Sequence, residues 1–356
     1  MSQTAAVQTA LSEFDTPQAW YGPELAQRTD WIHDLGDADR QELRHAIAVA
    51  RASGQPLHSL GRAQFPLVSL AARLNRLRRE ALDGLGFFLL RGVPVAEYSP
   101  WESAVAFWGI GLYLGEAVSQ NGKGHVLGHV ANLGLDYADP EVRGYQTNAG
   151  LNFHTDFSDL VGLLSLRTPQ SGGLSKIASS TTIWNEMVRR RPDLARVLLE
   201  PVYYTRWGEV GACMKPYYGM PVFSPCAGRM VVTYVRSAIR KAQLMPEVPR
   251  LSRLQEEALD LLDSLAADSG ISLSMEFRPG DVQVLCNHWI MHSRTSYEDW
   301  PEPERRRHLL RLWLACDGGP TLPASFTAVA QPATRGGRPA GIQVPGVPFS
   351  APLDPC

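Results

Sequence analysis

The first third of the chain carries apolar residues at helical intervals. This spacing predicts amphipathic helices over residues 37–53 and 65–84, and a more apolar helix over residues 100–115. Between the last two, residues 87–95 form a short apolar run that Gly and Pro close, which predicts a buried strand. Residues 1–19 are polar, and we expect them to be frayed.

From about Gly124 the pattern changes to short apolar runs separated by Gly, Pro and Asp turns. These runs predict strands over residues 160–168, 201–207, 221–224, 229–235, 281–286 and 309–315. Helices are predicted over residues 182–191 and 252–268, and the Pro- and Gly-rich sequence after Pro320 predicts an irregular wrap. The predicted fold class is therefore mainly β with flanking helices, with an all-β sandwich or jelly roll as its core.

The overall composition excludes some partners. With 44% hydrophobic and 20% charged residues, the 356-residue chain is ordinary for a globular protein. A formal net charge of −2 gives no reason to expect nucleic acid or an anionic membrane as a partner. No apolar stretch approaches the roughly 20 residues that span a bilayer, and the N-terminus lacks the pattern of a secretory signal.

The five cysteines are scattered and form no CxxC pair; they are Cys213, Cys226, Cys286, Cys316 and Cys356. An odd number of cysteines in a large chain predicts reduced, mostly buried thiols. We therefore expect a cytoplasmic protein. A homo-oligomer is compatible with the sequence.

A metal-ligand pattern stands in the sequence Asn-Phe-His-Thr-Asp. In an extended segment, residues i and i+2 point to the same face, so His154 and Asp156 can present donors to one ion. A second histidine would complete the set, and both His288 and His292 follow the apolar run 281–286. Three ligands on one face leave three positions open, which is the arrangement of non-haem Fe(II) oxygenases. An isolated triplet of this kind is more often a turn or a satisfied polar pair.

A basic segment that predicts a strand follows His288 and His292 in the sequence. With period two, Arg307, Leu309, Arg311 and Trp313 share one face. An arginine among such neighbours is expected to be partly buried and to need an anion. The planar guanidinium binds a carboxylate in bidentate fashion, which suits the distal end of 2-oxoglutarate. The alternative for either arginine is an internal salt bridge.

These motifs together resemble the TauD/TfdA family of Fe(II)/2-oxoglutarate dioxygenases. The matching blocks, in the family's order between Gln120 and Leu322, are Tyr145-Gln146-Thr147, Phe153-His154-Thr155-Asp156, Ser171-Gly172-Gly173-Leu174-Ser175, Pro279-Gly280-Asp281, Asn287-His288, His292-Ser293-Arg294-Thr295 and Arg307-His308-Leu309-Leu310-Arg311-Leu312-Trp313-Leu314. Several ordered blocks are more specific than any single one. The resemblance implies a double-stranded β-helix, which is a distorted jelly roll.

The resemblance also implies a division of the chain. Residues 1–115 would be a helical region packed on the core, residues 116–325 the double-stranded β-helix with a helical insert, and residues 326–356 a Pro- and Gly-rich tail. These regions would together form a single catalytic domain.

The resemblance further implies a role for each site residue. His154, Asp156 and His292 match the iron ligands, and His288 falls where the family places a non-ligand residue. Arg307 matches the arginine that pairs with the distal carboxylate of 2-oxoglutarate. Ser175 stands where the family has a threonine whose hydroxyl contacts that cosubstrate. Arg311 matches a residue near the cosubstrate's C1 carboxylate or the substrate's anionic group.

The implied activity is oxidation of an unactivated C–H bond in a small molecule, with O2 and 2-oxoglutarate consumed and succinate and CO2 released. The small-molecule substrate is expected to be anionic, and the aromatic segment 203–218 is either a wall of its pocket or a core strand pair. One alternative is a catalytically inactive β-helix protein that only binds a ligand. Another is a zinc hydrolase using His125 and His129, although the glutamate of an HExxH motif is absent.

Overall fold

The computed structural model describes residues 11–136, 142–210, 214–329 and 338–355. Cys213 and Cys356 of the predicted reduced thiols lie outside the described residues. The helices are α1 (Gly22–Ala26), α2 (Asp37–Ser53), α3 (Ser69–Asp83), α4 (Pro100–Leu114), α5 (Ser180–Arg190), α6 (Pro192–Val197), α7 (Arg236–Ala242), α8 (Arg253–Ala267) and α9 (Ala324–Val329). Short 3₁₀ turns cover Leu57–Ser59, Gly144–Gln146 and Pro303–Arg305.

The strands lie mainly in the second half of the chain. They are β1 (Ile32–Asp34), β2 (Phe87–Arg91), β3 (Glu116–Val118), β4 (Gly128–Ala131), β5 (Leu151–His154), β6 (Leu160–Arg167), β7 (Ser171–Gly172), β8 (Ser175–Ser179), β9 (Pro201–Thr205), β10 (Tyr217–Pro221), β11 (Phe223–Cys226), β12 (Arg229–Val232), β13 (Leu273–Met275), β14 (Val282–Cys286), β15 (Ile290–Arg294), β16 (Tyr297–Glu298) and β17 (His308–Ala315).

Two larger sheets form the core. Seven strands make one sheet in the order β1-β2-β14-β6-β17-β3, with β4 also paired to β17. Four strands make the other in the order β13-β8-β15-β5, and three two-stranded ribbons complete the set. Strands β1 and β2, which come from the predicted N-terminal helical region, lie in the large sheet. The predicted fold class, mainly β with flanking helices and a double-stranded β-helix core, is confirmed.

The central strands consist mostly of apolar residues because both of their faces are covered. Every residue of β14 and of β17 is buried. Helix α4 lies over this sheet, so closely that a side chain added at Gly111 would meet Leu312 and one added at Gly162 would touch Phe107. A capping box of Ser99 and Glu102, with Pro100 at the first turn, starts this almost wholly buried helix.

The predicted bounds of α2 agree with the structure, whereas those of α3 do not. Helix α3 begins at Ser69 rather than residue 65, because Glu42 of α2 accepts hydrogen bonds from Leu70 N–H and from the Ser69 hydroxyl. This is the role of an N-cap, and here a neighbouring helix supplies it. Likewise the strand predicted over residues 87–95 ends at Arg91, since Gly92 has a φ of +100°.

The prediction that residues 1–19 are frayed is wrong for the part that the structure describes. Gln18 is 0% exposed, and its side-chain amide donates to the carbonyls of Asp83 and Gly84. Asn185 of α5 accepts from the Phe14 N–H and donates to the Phe14 carbonyl. Buried side-chain hydrogen bonds therefore fix this segment, although its own sequence is polar.

The described residues after Pro320 are irregular as predicted, except for α9 and isolated bridges. The described residues 338–355 return to the large sheet. The Ile342 N–H donates to the Ser119 carbonyl at 2.8 Å, and the Val126 N–H donates to Ser350. Among the helices of the described residues, none has both the length and the apolar character needed to cross a membrane.

Candidate metal centre and active-site cavity

The pairing of β5 with β15 places two histidines side by side. His154 and His292 are directly opposite in this antiparallel pair, and their ring centroids lie 4.2 Å apart. The register shifts between His292 and Arg294, immediately after the pair. A bulge of this kind re-aims side chains at the end of a strand and is common beside functional sites.

Asp156 completes a cluster of three possible metal ligands. Donor atoms of His154, Asp156 and His292 all lie within 4.8 Å of one another, and no other such group of three occurs among the residues that the structure describes. The period-two prediction for His154 and Asp156 is thus matched by the geometry. The His292 Nε2 lies 3.7 Å from Asp156 Oδ2.

The Asp156 carboxylate is held from several sides. The indole Nε1 of Trp313 donates to its Oδ2 at 2.7 Å, and Arg311 Nη1 lies 3.8 Å from the same oxygen. The Asp156 N–H donates to Asn287 Oδ1 at 2.9 Å. Burial alone would raise the pKa of Asp156, but the guanidinium of Arg311 and the hydrogen bond from Trp313 act in the opposite direction, and that pKa is lowered. The carboxylate is therefore ionised and fixed in one orientation.

The two histidines are in the form that can bind a metal. His154 Nδ1 lies 2.8 Å from the Asn152 carbonyl, which can only accept, so Nδ1 carries the proton and the lone pair is on Nε2. Burial lowers the pKa of His292 to about 3, so this ring is neutral at physiological pH. A neutral imidazole at His292 beside an ionised carboxylate is the combination of protonation states that metal binding requires.

His288, the other histidine that the sequence pattern left open, lies in a different place. Its Nε2 lies 2.7 Å from Asp159 Oδ1, and its ring packs edge-on against Phe326. His288 is thus part of a buried polar cluster and is not grouped with His154 and Asp156.

The residues expected to hold the cosubstrate lie along β8 and before β17. In the β8–β15 ladder, Ile177 is opposite His292 and Ser175 is opposite Arg294. Ser175 is therefore two residues, or about 7 Å along the strand, from the level of His292. Arg307 and Arg294 both stack on the Tyr297 ring, at 5.0 and 4.7 Å from its centroid. Two guanidinium groups on one ring make this region strongly cationic.

Arg307 has unused hydrogen-bonding capacity. It is almost fully buried, and its Nη1 has no hydrogen-bond partner among the described residues. Burial lowers its pKa, although Tyr297 and Asp299 act in the opposite direction. A buried guanidinium nitrogen without a partner suits an anionic ligand. By contrast, the Ser175 hydroxyl already donates to Gln283 Oε1 at 3.2 Å.

Arg311 lies beside the metal cluster, with its Nη1 3.8 Å from Asp156 Oδ2. Its Nε donates to Gln120 Oε1 at 2.7 Å, and the guanidinium lies between the rings of Tyr145 and Trp313, 4.8 and 5.2 Å from their centroids. Sequence reasoning assigned no role to Gln120 or to the Trp313 hydrogen bond. The period-two pattern of the strand had placed Trp313 on the same face as Arg311, so the sequence already predicted which side of the strand it would occupy.

A cavity of about 550 Å³ opens next to this cluster. Its lining includes His154, Asp156, Arg311 and Trp313, but neither Ser175 nor Arg307. Among the residues that the structure describes, six cationic side chains line it, against the two acidic side chains of Asp156 and Glu209; the cations are Arg143, Arg206, Arg236, Arg240, Lys241 and Arg311. Its volume is typical of pockets for small molecules.

The aromatic segment 203–218 serves both purposes that its sequence suggested. Tyr204 is fully buried and stacks on Tyr218, with ring centroids 5.2 Å apart. Arg206, Trp207 and Tyr218 line the cavity, whereas Tyr203 and Lys215 do not. Trp207 has a φ of +56°, an uncommon conformation for a bulky residue, and lies between the cations of Arg143 and Lys241.

The zinc hydrolase alternative finds no support at its two histidines. His129 is on strand β4 rather than on a helix, and its Nδ1 lies 2.8 Å from His308 Nε2. Its Nε2 lies 2.9 Å from the Pro352 carbonyl, so both of its ring nitrogens have partners. His125 Nδ1 contacts Asn121 instead. The two rings have separate structural roles.

Comparison with known proteins identifies the family. The model of the taurine catabolism dioxygenase TauD, TfdA family matches residues 53–313. The chain belongs to the TauD/TfdA family. It is accordingly an Fe(II)- and 2-oxoglutarate-dependent dioxygenase that uses O2, and the alternative of an inactive ligand-binding protein is set aside.

Two relatives, one from Streptomyces and one from Stachybotrys, are similar to this chain over most of its length. The chain is 29% identical to the FR-33289 synthase of Streptomyces rubellomurinus over 314 residues, which is 86% of this chain and 92% of that protein. It is 30% identical to the taurine hydroxylase-like protein SAT17 of Stachybotrys chartarum over 307 residues, covering 83% of this chain and 77% of that protein.

Solved structures share the fold of this TauD/TfdA member. Asparagine oxygenase in complex with Fe(II), 3-hydroxyasparagine and succinate has a TM-score of 0.63 at 16% identity, covering 80% of this chain and 93% of that chain. The non-haem iron oxygenase OrfP with iron and α-ketoglutaric acid has a TM-score of 0.60 at 18% identity, covering 80% and 94%. At these identities the similarity concerns the fold alone.

Proposed function

We propose that His154, Asp156 and His292 hold the Fe(II) of this dioxygenase. The observation that carries the proposal is the β5–β15 register, which sets the two imidazoles opposite each other with the Asp156 carboxylate beside them. The lone pair on His154 Nε2, the neutral His292 and the ionised Asp156 suit a divalent cation without further proton loss.

We further propose that Arg307 binds the distal carboxylate of 2-oxoglutarate and that Ser175 assists it. The buried Nη1 of Arg307 supplies an unused donor, and Arg294 on the same Tyr297 ring adds positive charge. The 7 Å estimated between the levels of His292 and Ser175 suits a cosubstrate that reaches from the metal to this end. Ser175 would redirect its hydroxyl from Gln283 to the carboxylate.

Bound Fe(II) supplies activation of O2, coupled to oxidative decarboxylation of 2-oxoglutarate to succinate and CO2, with the second oxygen atom transferred to a substrate C–H bond. The chain's own residues hold the metal ligands and the cationic side chains of the cavity in position. Trp313 and Asn287 fix Asp156, the Asn152 carbonyl fixes the His154 tautomer, and Gln120 holds Arg311 at the cavity wall.

The proposed substrate is a small anionic molecule that binds in the cavity. The excess of cationic lining side chains supports this, although Glu209 offsets Arg143 at 2.6 Å, and Asp260 with Asp263 offsets Arg236. Arg311 does not depend on the substrate for its partners. Gln120 and Asp156 already supply oxygens to it.

The proposal is tested by Fe(II)-dependent succinate release. Purified protein with Fe(II) and 2-oxoglutarate is expected to release succinate slowly, and a panel of amino acids, sulfonates and other small carboxylates is screened for stimulation. A stimulating compound that carries an anionic group supports the substrate class. Stimulation only by cationic or neutral compounds contradicts it, and no succinate release under any condition contradicts the proposed iron and cosubstrate sites.

Arg311→Gln separates the substrate from the cosubstrate. If Arg311 contacts the substrate's anion, turnover of the substrate found in that screen should fall about ten- to a hundredfold, since a charge-assisted hydrogen bond is lost. Slow conversion of 2-oxoglutarate without substrate should partly survive. Succinate and product are measured together, and an equal loss of both would show that Arg311 serves the cosubstrate or the fold.

We also propose that the protein functions in the reducing environment of the cytoplasm. Cys286 and Cys316 are free thiols that are fully buried in the core. Burial raises the pKa of Cys316 to about 12, which keeps it in the unreactive thiol form.

A further inference from the structure

The wall of the active-site cavity includes residues from beyond the matched family region. The family model ends at residue 313, but the cavity is also lined by Phe326, Pro339, Gly341 and Ile342. These residues come from the sequence that was expected to be an irregular wrap. Phe326, Pro339 and Ile342 are apolar, so this part of the lining presents an apolar surface to the cavity.

A buried ion pair fixes this segment in place. Arg338 binds Asp159 in bidentate fashion, with Nε donating to Oδ2 at 2.7 Å and Nη2 donating to Oδ1 at 2.6 Å. Its Nη1 also donates to the Pro320 carbonyl at 2.9 Å. Because Asp159 is 0% exposed, two parallel charge-assisted bonds hold the guanidinium strongly and in a defined orientation.

Asp159 also connects this ion pair to the metal cluster. His288 Nε2 lies 2.7 Å from its Oδ1, and the Cys316 N–H donates to its Oδ2. The Asp159 carbonyl accepts from the Asn287 N–H, and Asn287 in turn accepts from the Asp156 N–H. Asp159 therefore holds Arg338 through its carboxylate, and it holds Asn287, which binds the Asp156 N–H, through its backbone carbonyl.

The segment is held at its other end by the backbone. Gly341 bridges Ser119 in parallel register, and the Ile342 N–H donates to the Ser119 carbonyl. Gly341 has a φ of +69°, and a side chain there would collide with the Ser119 carbonyl oxygen. Ile342 thus lies at the second fixed point of the segment and packs partly against the core.

We propose that residues 338–342, together with Phe326, form a fixed wall that limits the length of the substrate, and that Arg338 positions this wall through Asp159. The inference rests on the proposed function, because it takes the cavity beside His154 and Asp156 as the substrate site. It assigns Arg338 a positioning role and Ile342 a specificity role.

The test measures binding of a series of linear alkanesulfonates, from ethane- to octanesulfonate, to the full chain with Fe(II) and 2-oxoglutarate under argon. Calorimetry gives each dissociation constant, so turnover is not needed. For the wild-type protein, each methylene that fits should strengthen binding about fourfold until the wall is reached. Beyond that length, binding should weaken.

Variants at Ile342 should move this limiting length. Ile342→Ala should shift it to longer probes and Ile342→Phe to shorter ones, whereas Val344→Ala in the same segment should leave it unchanged, since Val344 does not line the cavity. Arg338→Ala should flatten the dependence on length, and Arg338→Lys should restore part of it.

An unchanged limiting length in both Ile342 variants would overturn the proposal, as would a wild-type protein that binds none of the probes. A melting temperature that falls in Arg338→Ala, without any change in the length dependence, would show that Arg338 is merely structural. The proposed function fails in a different way, through absent Fe(II)-dependent succinate release from the wild-type protein.

Discussion

His292→Ala should abolish Fe(II)-dependent release of succinate and the weak visible absorption band that Fe(II) and 2-oxoglutarate form without oxygen. Loss of a partner that merely orients a metal ligand lowers activity about 10- to 100-fold. Loss of the ligand itself should therefore exceed about a hundredfold. The fold should tolerate the change, because His292 Nδ1 has no hydrogen-bond partner among the described residues and no polar bond is broken there.

His288→Gln is the matched control for this variant. His288 lies between β14 and β15, four residues before His292, but contacts Asp159 rather than the metal cluster. Its replacement should lower the melting temperature, because a buried polar cluster is disturbed, and should leave the absorption band in place. If His288→Gln loses the band while His292→Ala keeps it, the assignment of the second histidine ligand is wrong.

Arg307→Lys should weaken the apparent affinity for 2-oxoglutarate about ten- to a hundredfold, which corresponds to roughly 1.5–3 kcal/mol for a charge-assisted contact. Lysine keeps the charge but loses the planar fork that binds a carboxylate in bidentate fashion. The measurement is succinate release against the concentration of 2-oxoglutarate. Ser175→Ala should cost less, about 1 kcal/mol, because its hydroxyl is neutral.

Arg306→Lys provides the control for Arg307. Arg306 is the preceding residue in the chain, yet it is exposed and donates to the carbonyls of Trp300 and Pro301. Its replacement should leave the dependence on 2-oxoglutarate unchanged. An unchanged dependence in Arg307→Lys as well would refute the proposed site for the distal carboxylate.

The prediction for Arg307 and the prediction for Ile342 concern separate contacts. Arg307 lies outside the lining of the large cavity, while Arg311 and Asp156 are part of it. Arg307→Lys should therefore change the affinity for 2-oxoglutarate without changing the limiting length of the substrate. The Ile342 variants should change the limiting length without changing the affinity for 2-oxoglutarate. Independence of this kind is expected for distant residues that share no partner.

Local patterns in the sequence determined the elements that are set by local physics. Helix α2 has the predicted bounds because Gly54, with a φ of +64°, ends it in the left-handed conformation. Strands β14 and β17 were recognisable because burial on both faces favours short runs of mostly apolar residues. His154 and Asp156 could be paired because side chains two residues apart in an extended segment share a face.

The tertiary structure decided what depends on distant partners. Spacing alone left His288 and His292 open, and the family resemblance favoured His292. Only the register of β15 against β5 shows that His292 lies opposite His154, more than a hundred positions away in the chain. The start of α3 follows from Glu42, and the order of residues 11–19 follows from bonds such as those of Asn185. The wall formed with Ile342 follows from the ion pair of Arg338 with Asp159. Periodicity describes which face of its own element a residue occupies, whereas register, caps and ion pairs between remote segments arise only when the elements pack together.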